Sequence, residues 1–83
     1  SIMTVGDIIY NDNFDFNANY AIYKCKPDMC WDETEPFFST LKDGYDKPLN
    51  AILNTILDMP VKYLTIHDNV LIIEVPDTTK NKD

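Results

Sequence analysis

Two cysteines and one histidine are the side chains of this 83-residue chain best suited to metal binding or nucleophilic chemistry. Cys25 and Cys30 are separated by four residues, and His67 lies far along the chain. Because zinc in proteins usually takes four ligands, a site built on these three needs a fourth from Asp28 or Asp32. The Cys-x4-Cys spacing is wider than the Cys-x2-Cys of a usual zinc site, and no second pair of ligands follows it in the chain. The same residues also suit structural roles without a metal. Cys25 would be a strand residue, Cys30 a thiol in a loop, and His67 a side chain at the end of a hairpin.

Catalysis is disfavoured by what surrounds these groups. A cysteine nucleophile needs an adjacent base and an oxyanion hole, and no glycine-rich turn or helix start flanks Cys25 or Cys30. Gly6 and Gly44 are the only glycines, so no phosphate-binding glycine loop is present. General acid catalysis by a carboxylate needs burial or a close partner, and the paired carboxylates Asp32 and Glu33 lie in a hydrophilic stretch that should be solvated. We therefore predict a protein that is not an enzyme.

The charge of the chain is strongly one-sided. Fourteen acidic residues face seven lysines and no arginine, which gives a net charge of -7. Counterion release would oppose direct binding to nucleic acid. Residues 7–46 hold nine of the acidic residues and three of the lysines. The densest part lies between Pro27 and Pro36, and we take the following residues as the candidate surface for a basic protein partner: Asp28, Trp31, Asp32, Glu33 and Glu35.

Trp31 has two interpretations within that surface. Tryptophan is a frequent anchor at protein interfaces. Packing over the edge of the sheet is the other role open to Trp31, and it is the interpretation we favour. The loop around it is predicted to be exposed.

Local patterns predict the elements that would position this surface. Thr4 and Asp7 form a capping-box pattern, which predicts a short helix from residue 4 to 10. Residues 20–25 have the aromatic and β-branched content of a strand, and a second strand is expected at 37–41. Pro48 precedes apolar residues at helical spacing, which predicts the main helix at 48–58.

The clearest long-range pattern is a β-hairpin over residues 61–75. Asp68 and Asn69 tolerate the left-handed backbone of a type I′ turn. That turn sets the register, with Ile66 opposite Leu71 and Leu64 opposite Ile73 on the core side. The pairs predicted on the other side are His67 with Val70, Thr65 with Ile72, and Tyr63 with Glu74.

Together these elements predict an α+β fold in a single domain spanning 1–83. We expect an antiparallel sheet of three to four strands with a C-terminal β-hairpin, packed against one main helix plus a short N-terminal helix. Ser1 and Ile2 precede a natural-looking start and are interpreted as a remnant of expression. Residues 77–83 are expected to form a flexible tail. A hairpin strand left at the sheet edge would favour a homodimer.

No apolar run exceeds four residues, so we expect no membrane segment or signal peptide and a cytoplasmic location.

Three stretches resemble small acidic proteins carried on phages and mobile elements of Firmicutes: 4–9, 14–23 and 60–66. One class among such proteins is the anti-CRISPR inhibitors, which bind an effector nuclease and often occlude its nucleic-acid channel with carboxylates. The resemblance implies an inhibitor without catalytic residues, acting on a CRISPR effector nuclease in the bacterial host cell. The alternative hypothesis is a small structural protein with zinc at Cys25, Cys30 and His67.

Overall fold

The structure is a computed structural model that describes residues 2–13, 15–43 and 53–78. It confirms an α+β fold, built on one four-stranded sheet with short helices. No described helix is long and apolar enough to cross a membrane. In chain order the elements are α1 (Val5–Ile9), β1 (Asn19–Cys25), a 3-10 helix (Trp31–Glu33), β2 (Phe38–Ser39), α2 (Thr40–Asp43), α3 (Leu53–Leu57), β3 (Tyr63–His67) and β4 (Val70–Pro76).

Helix α1 begins with the predicted capping box. The Thr4 hydroxyl accepts the backbone N–H of Asp7 at 3.3 Å, and the Asp7 carboxylate accepts the N–H of Thr4 at 2.9 Å. Val5 and Ile8 are buried on one side of the helix. Gly6 faces α3, where an added Cβ would lie 3.1 Å from the carbonyl oxygen of Leu57. The close approach of these two helices therefore depends on the missing side chain.

The predicted hairpin is confirmed in turn and register. Asp68 and Asn69 have φ values of 53° and 65°, as the type I′ turn requires. All five predicted residue pairs between β3 and β4 occur, from Tyr63 opposite Glu74 to His67 opposite Val70.

The prediction of an antiparallel sheet is wrong for one pair of strands. The strand order is β2-β1-β4-β3, and β1 runs parallel to β4 while the other neighbours are antiparallel. The long connection between β1 and β4 provides the crossover that parallel pairing needs. Strand β4 is the most apolar strand, and a place between two neighbours buries its residues 72–75.

The second strand and the main helix, both expected after β1 in the chain, differ from their predictions. The strand expected at 37–41 is only Phe38–Ser39, because Thr40 begins a helical turn. The Thr40 side chain there accepts the N–H of Tyr20 and donates to Asn19 Oδ1, which ties this turn to β1. Of the main helix expected at 48–58, residues 48–52 lie outside the described residues, and the part that follows contains the five-residue helix α3. The described helices are all short, and one main helix is not shown.

One face of the sheet carries the hydrophobic core, and we call it the inner face. Helices α1 and α3 contribute Val5 and Ile56 to it. The core residues from the strands are Tyr20, Ile22, Phe38, Ile73 and Val75. Ile66 was expected on the core side, but 73% of its surface is exposed. It lies on the edge strand β3, and its neighbours Leu64 on β3 and Leu71 on β4 are themselves only partly buried.

Candidate functional site

The acidic loop, residues 26–36, covers the opposite side of the sheet, which we call the outer face. Strand alternation puts Tyr23 and Cys25 of β1 on this face, together with Ile72 and Glu74 of β4. Ile72 and Cys25 are as buried as core residues, with exposures of 3% and 1%. The loop therefore buries part of a second apolar surface, although it was predicted to be merely an exposed segment.

A buried carboxylate holds the loop on the sheet. Glu74 is 4% exposed, and its Oε2 accepts the backbone N–H of Trp31 at 3.0 Å. Its Oε1 lies 3.8 Å from Lys62 Nζ. The same ammonium group donates to the carbonyl oxygens of Lys26 and Met29, at 2.9 and 3.3 Å. We call Glu74 and Lys62 the latch, because their charges hold the loop backbone at three points.

Sequence reasoning missed the latch. The available signal was the presence of Glu74 inside the apolar run of β4, since a carboxylate there must be paired or hydrogen-bonded to be buried. Lys62 lies just before β3, and its residue type gave no signal of its own. Both residues become recognisable only once the strand order places them beneath the loop.

Trp31 is half-buried and packs against two rings of the outer face. Its ring centroid is 5.5 Å from that of Tyr23, at an interplanar angle of 60°. It is also 5.1 Å from the ring of His67, on the edge strand β3. These contacts span the sheet from β1 to β3, so packing over the sheet is a role that the structure gives this residue. Any partner contact would use only its remaining exposed surface.

The four carboxylates of the candidate surface are exposed: Asp28, Asp32, Glu33 and Glu35. An open groove of about 540 Å³ runs between the loop and the edge strand, and its lining includes Asp28, Trp31, Asp32 and Tyr63. The loop therefore presents negative charge beside an aromatic and partly apolar hollow. Such a surface matches the chemistry of long basic side chains, which combine an apolar stem with a cationic end.

The predicted zinc ligands occupy different environments. Cys25 is buried beneath the loop, whereas Cys30 and His67 are exposed. Burial, followed by the nearby Glu74 charge, raises the pKa of the Cys25 thiol, which disfavours the thiolate that zinc requires. Among the described residues, the potential ligand atoms that lie within 4.8 Å of one another belong to Cys30, Asp32 and Glu33.

That group shares only Cys30 with the predicted set, and all three of its members are exposed. Zinc bound by Cys25, Cys30 and His67 stays a prediction. Elemental analysis of protein purified without added metal tests it, and stoichiometric zinc that is lost in Cys25→Ala and His67→Ala would support it.

Comparison of the chain with protein-family models, with curated proteins and with solved structures found no match.

Proposed function

We propose that this protein is a non-enzymatic inhibitor that binds a basic host protein through the acidic loop. The observation that carries the proposal is the latch, which holds the backbone of the loop that carries four exposed carboxylates against the sheet. The partner class proposed is a CRISPR effector nuclease in the cytoplasm of a bacterial host. This class rests on the resemblance to small acidic proteins of phages and mobile elements.

Preorganisation is what distinguishes this loop from a merely solubilising one. A free acidic segment loses conformational entropy when it binds, and that loss weakens the complex. Here the buried Glu74 and the carbonyl contacts of Lys62 restrain the backbone on both sides of Cys30. The cost of ordering the loop is met during folding, so more of the electrostatic attraction remains available for binding.

The mechanism proposed is exclusion of nucleic acid by charge and by volume. A groove that binds phosphates is lined by lysine and arginine, and the carboxylates at 28–35 would pair with those side chains in place of phosphate oxygens. The exposed part of Trp31 and the groove beside it would accommodate a basic side chain. No bond is made or broken, so inhibition is reversible and stoichiometric.

The test uses immobilised protein and a panel of purified CRISPR effector nucleases, each guide-free and guide-loaded. We expect one of them to bind, to bind at least about tenfold less tightly between about 50 mM and about 500 mM salt, and to lose binding of guide or target nucleic acid. The variant Asp28→Asn/Asp32→Asn/Glu33→Gln/Glu35→Gln removes four charges from the loop. It should abolish binding while changing the free energy of unfolding by less than about 1 kcal/mol, because the four side chains are exposed.

A matched control removes four charges elsewhere. Asp12, Asp15, Asp58 and Asp68 are exposed and lie outside the loop. Their combined replacement by asparagine removes the same number of negative charges, and Asn is well suited to the turn position of Asp68. We expect this variant to keep most of the binding. An equal loss of binding in both variants would show that binding depends on net charge and not on the acidic loop. An absence of salt-sensitive binding to the whole panel would overturn the proposed partner class.

A further inference from the structure

Strand β3 forms one edge of the sheet and has apolar side chains that the monomer leaves exposed. Ile66 is 73% exposed and Tyr63 is 52% exposed. Within residues 2–13, 15–43 and 53–78, no strand other than β4 pairs with β3. The opposite edge, β2, is only two residues long and has little backbone to offer. The two edges therefore differ in their capacity to recruit another strand.

The composition of β3 is also unusual for an edge. Edge strands are commonly protected by lysine, proline or an inward-pointing charge. The five residues of β3 are Tyr, Leu, Thr, Ile and His, with no acidic residue, lysine or proline among them. In a chain of net charge -7, the side chains of β3 itself place no acidic group against the edge of a second copy.

The hairpin register determines which backbone groups of β3 point away from β4. In a two-residue hairpin the residues flanking the turn, His67 and Val70, form a hydrogen-bonded pair, and bonded pairs then alternate along the ribbon. Thr65 and Tyr63 are thus also directed at β4. The N–H and C=O groups of Leu64 and Ile66 point outward, where a further strand would meet them.

We propose that β3 pairs antiparallel with β3 of a second copy of this chain, about a two-fold axis at Thr65. This register sets Leu64 of each copy opposite Ile66 of the other, so that the outward backbone groups of both satisfy each other. It brings the exposed Ile66 against an aliphatic side chain, and it sets Tyr63 opposite His67 of the second copy. The outcome is one continuous eight-stranded sheet.

The two-fold axis is perpendicular to the sheet, so both acidic loops lie on the same side of the dimer. Their like charges oppose association, and the contact of one five-residue strand is small compared with a standard interface. We therefore expect a weak dimer, with a dissociation constant on the order of 10 to 100 µM. Salt screens the repulsion, so the dimer should strengthen as salt rises. This is the opposite of the salt effect expected for the proposed inhibitor function.

Sedimentation equilibrium on the full chain tests the pairing at two salt concentrations. Ile66→Lys introduces a charge at the edge and should weaken the dimer at least tenfold. Leu41→Lys is the matched control, because Leu41 is 67% exposed on α2, outside β3, and its replacement should leave the constant within twofold. A wild-type chain that stays monomeric at 1 mM, or equal effects of the two substitutions, would overturn the proposal.

A cross-link tests the register itself. In the background Cys30→Ser, which removes the exposed thiol, Thr65→Cys places two thiols across the two-fold axis in a non-hydrogen-bonded pair, where side chains lie closest. Mild oxidation should yield a covalent dimer, whereas Val70→Cys in the same background should not. Cross-linking at Val70 but not at Thr65 would contradict the register. Circular dichroism confirms that each variant is folded before it is scored.

Discussion

The two faces of the sheet are covered in different ways. The inner face is packed by α1 and α3 against aliphatic residues such as Ile22 and Ile73, which are fully buried. The outer face is covered by the acidic loop, whose attachment depends on Glu74, Lys62 and the ring of Trp31. Hydrophobic contact is spread over many atoms, while the latch consists of a few directed contacts. The inner face should therefore govern global stability and the outer face the order of the loop.

The largest effect is expected from shortening a side chain of the inner face. Ile73→Ala removes three buried carbons from a residue with no exposed surface, which should cost about 3 to 4 kcal/mol in the free energy of unfolding. That is a large share of the roughly 4 to 12 kcal/mol typical of a chain of this length. Ile66→Ala is the control, because the exposed Ile66 should contribute less than about 0.5 kcal/mol. Urea denaturation measures both, and equal losses would contradict the assignment of the inner face.

A smaller and more local effect is expected from the latch. Glu74→Ala leaves the N–H of Trp31 and the ammonium of Lys62 without their carboxylate, which should cost about 2 kcal/mol. Because Trp31 is the only tryptophan, its fluorescence reports directly on the loop, and its emission should shift to longer wavelength.

The matched control for the latch is Glu33→Ala, which removes an exposed carboxylate from the same loop. It should change neither the emission nor the stability measurably. Unaltered Trp31 emission in Glu74→Ala would show that the loop is held by other contacts. If the emission does shift, the same variant should also weaken partner binding, since the carboxylates would no longer be preorganised.

The smallest effect is expected from alkaline pH, and it should act on the outer face. Burial raises the pKa of the Cys25 thiol above its ordinary value, and burial together with the charge of Glu35 raises the pKa of the Tyr23 hydroxyl in the same way. Raised values mean that the folded state holds these protons more tightly than the unfolded state. Their contribution to stability is complete at pH values below the unfolded-state pKa values and is lost as the pH rises through the folded-state pKa values.

Urea denaturation under reducing conditions at pH 8 and at pH 10.5 measures that loss. Tyr23→Phe keeps the ring against Trp31 but removes the titrating hydroxyl, so its stability should fall less over this interval than that of the wild type. A fall in Tyr23→Phe equal to that of the wild type would assign the alkaline loss to other groups.

Several local features were predictable from the sequence. The capping box of α1 and the turn at Asp68-Asn69 both form between residues close in the chain, and the turn alone determined the register of all five pairs in the hairpin. The acidic character of the loop was equally evident. The short length of β2 was not, because the Thr40 contacts that end it are made with β1, some twenty residues earlier.

The sequence by itself determined the capped start of α1, the turn and register of the β3-β4 hairpin, and where the negative charge is concentrated. Only the tertiary structure decided that β4 lies between β1 and β3, that β1 runs parallel to it, and that Glu74 is buried beneath the loop. The physical reason is the separation along the chain of the residues that interact. Caps and tight turns are settled by neighbours a few residues apart, whereas strand order and the pairing of Glu74 with a loop over forty residues away depend on how all the apolar surfaces are buried together.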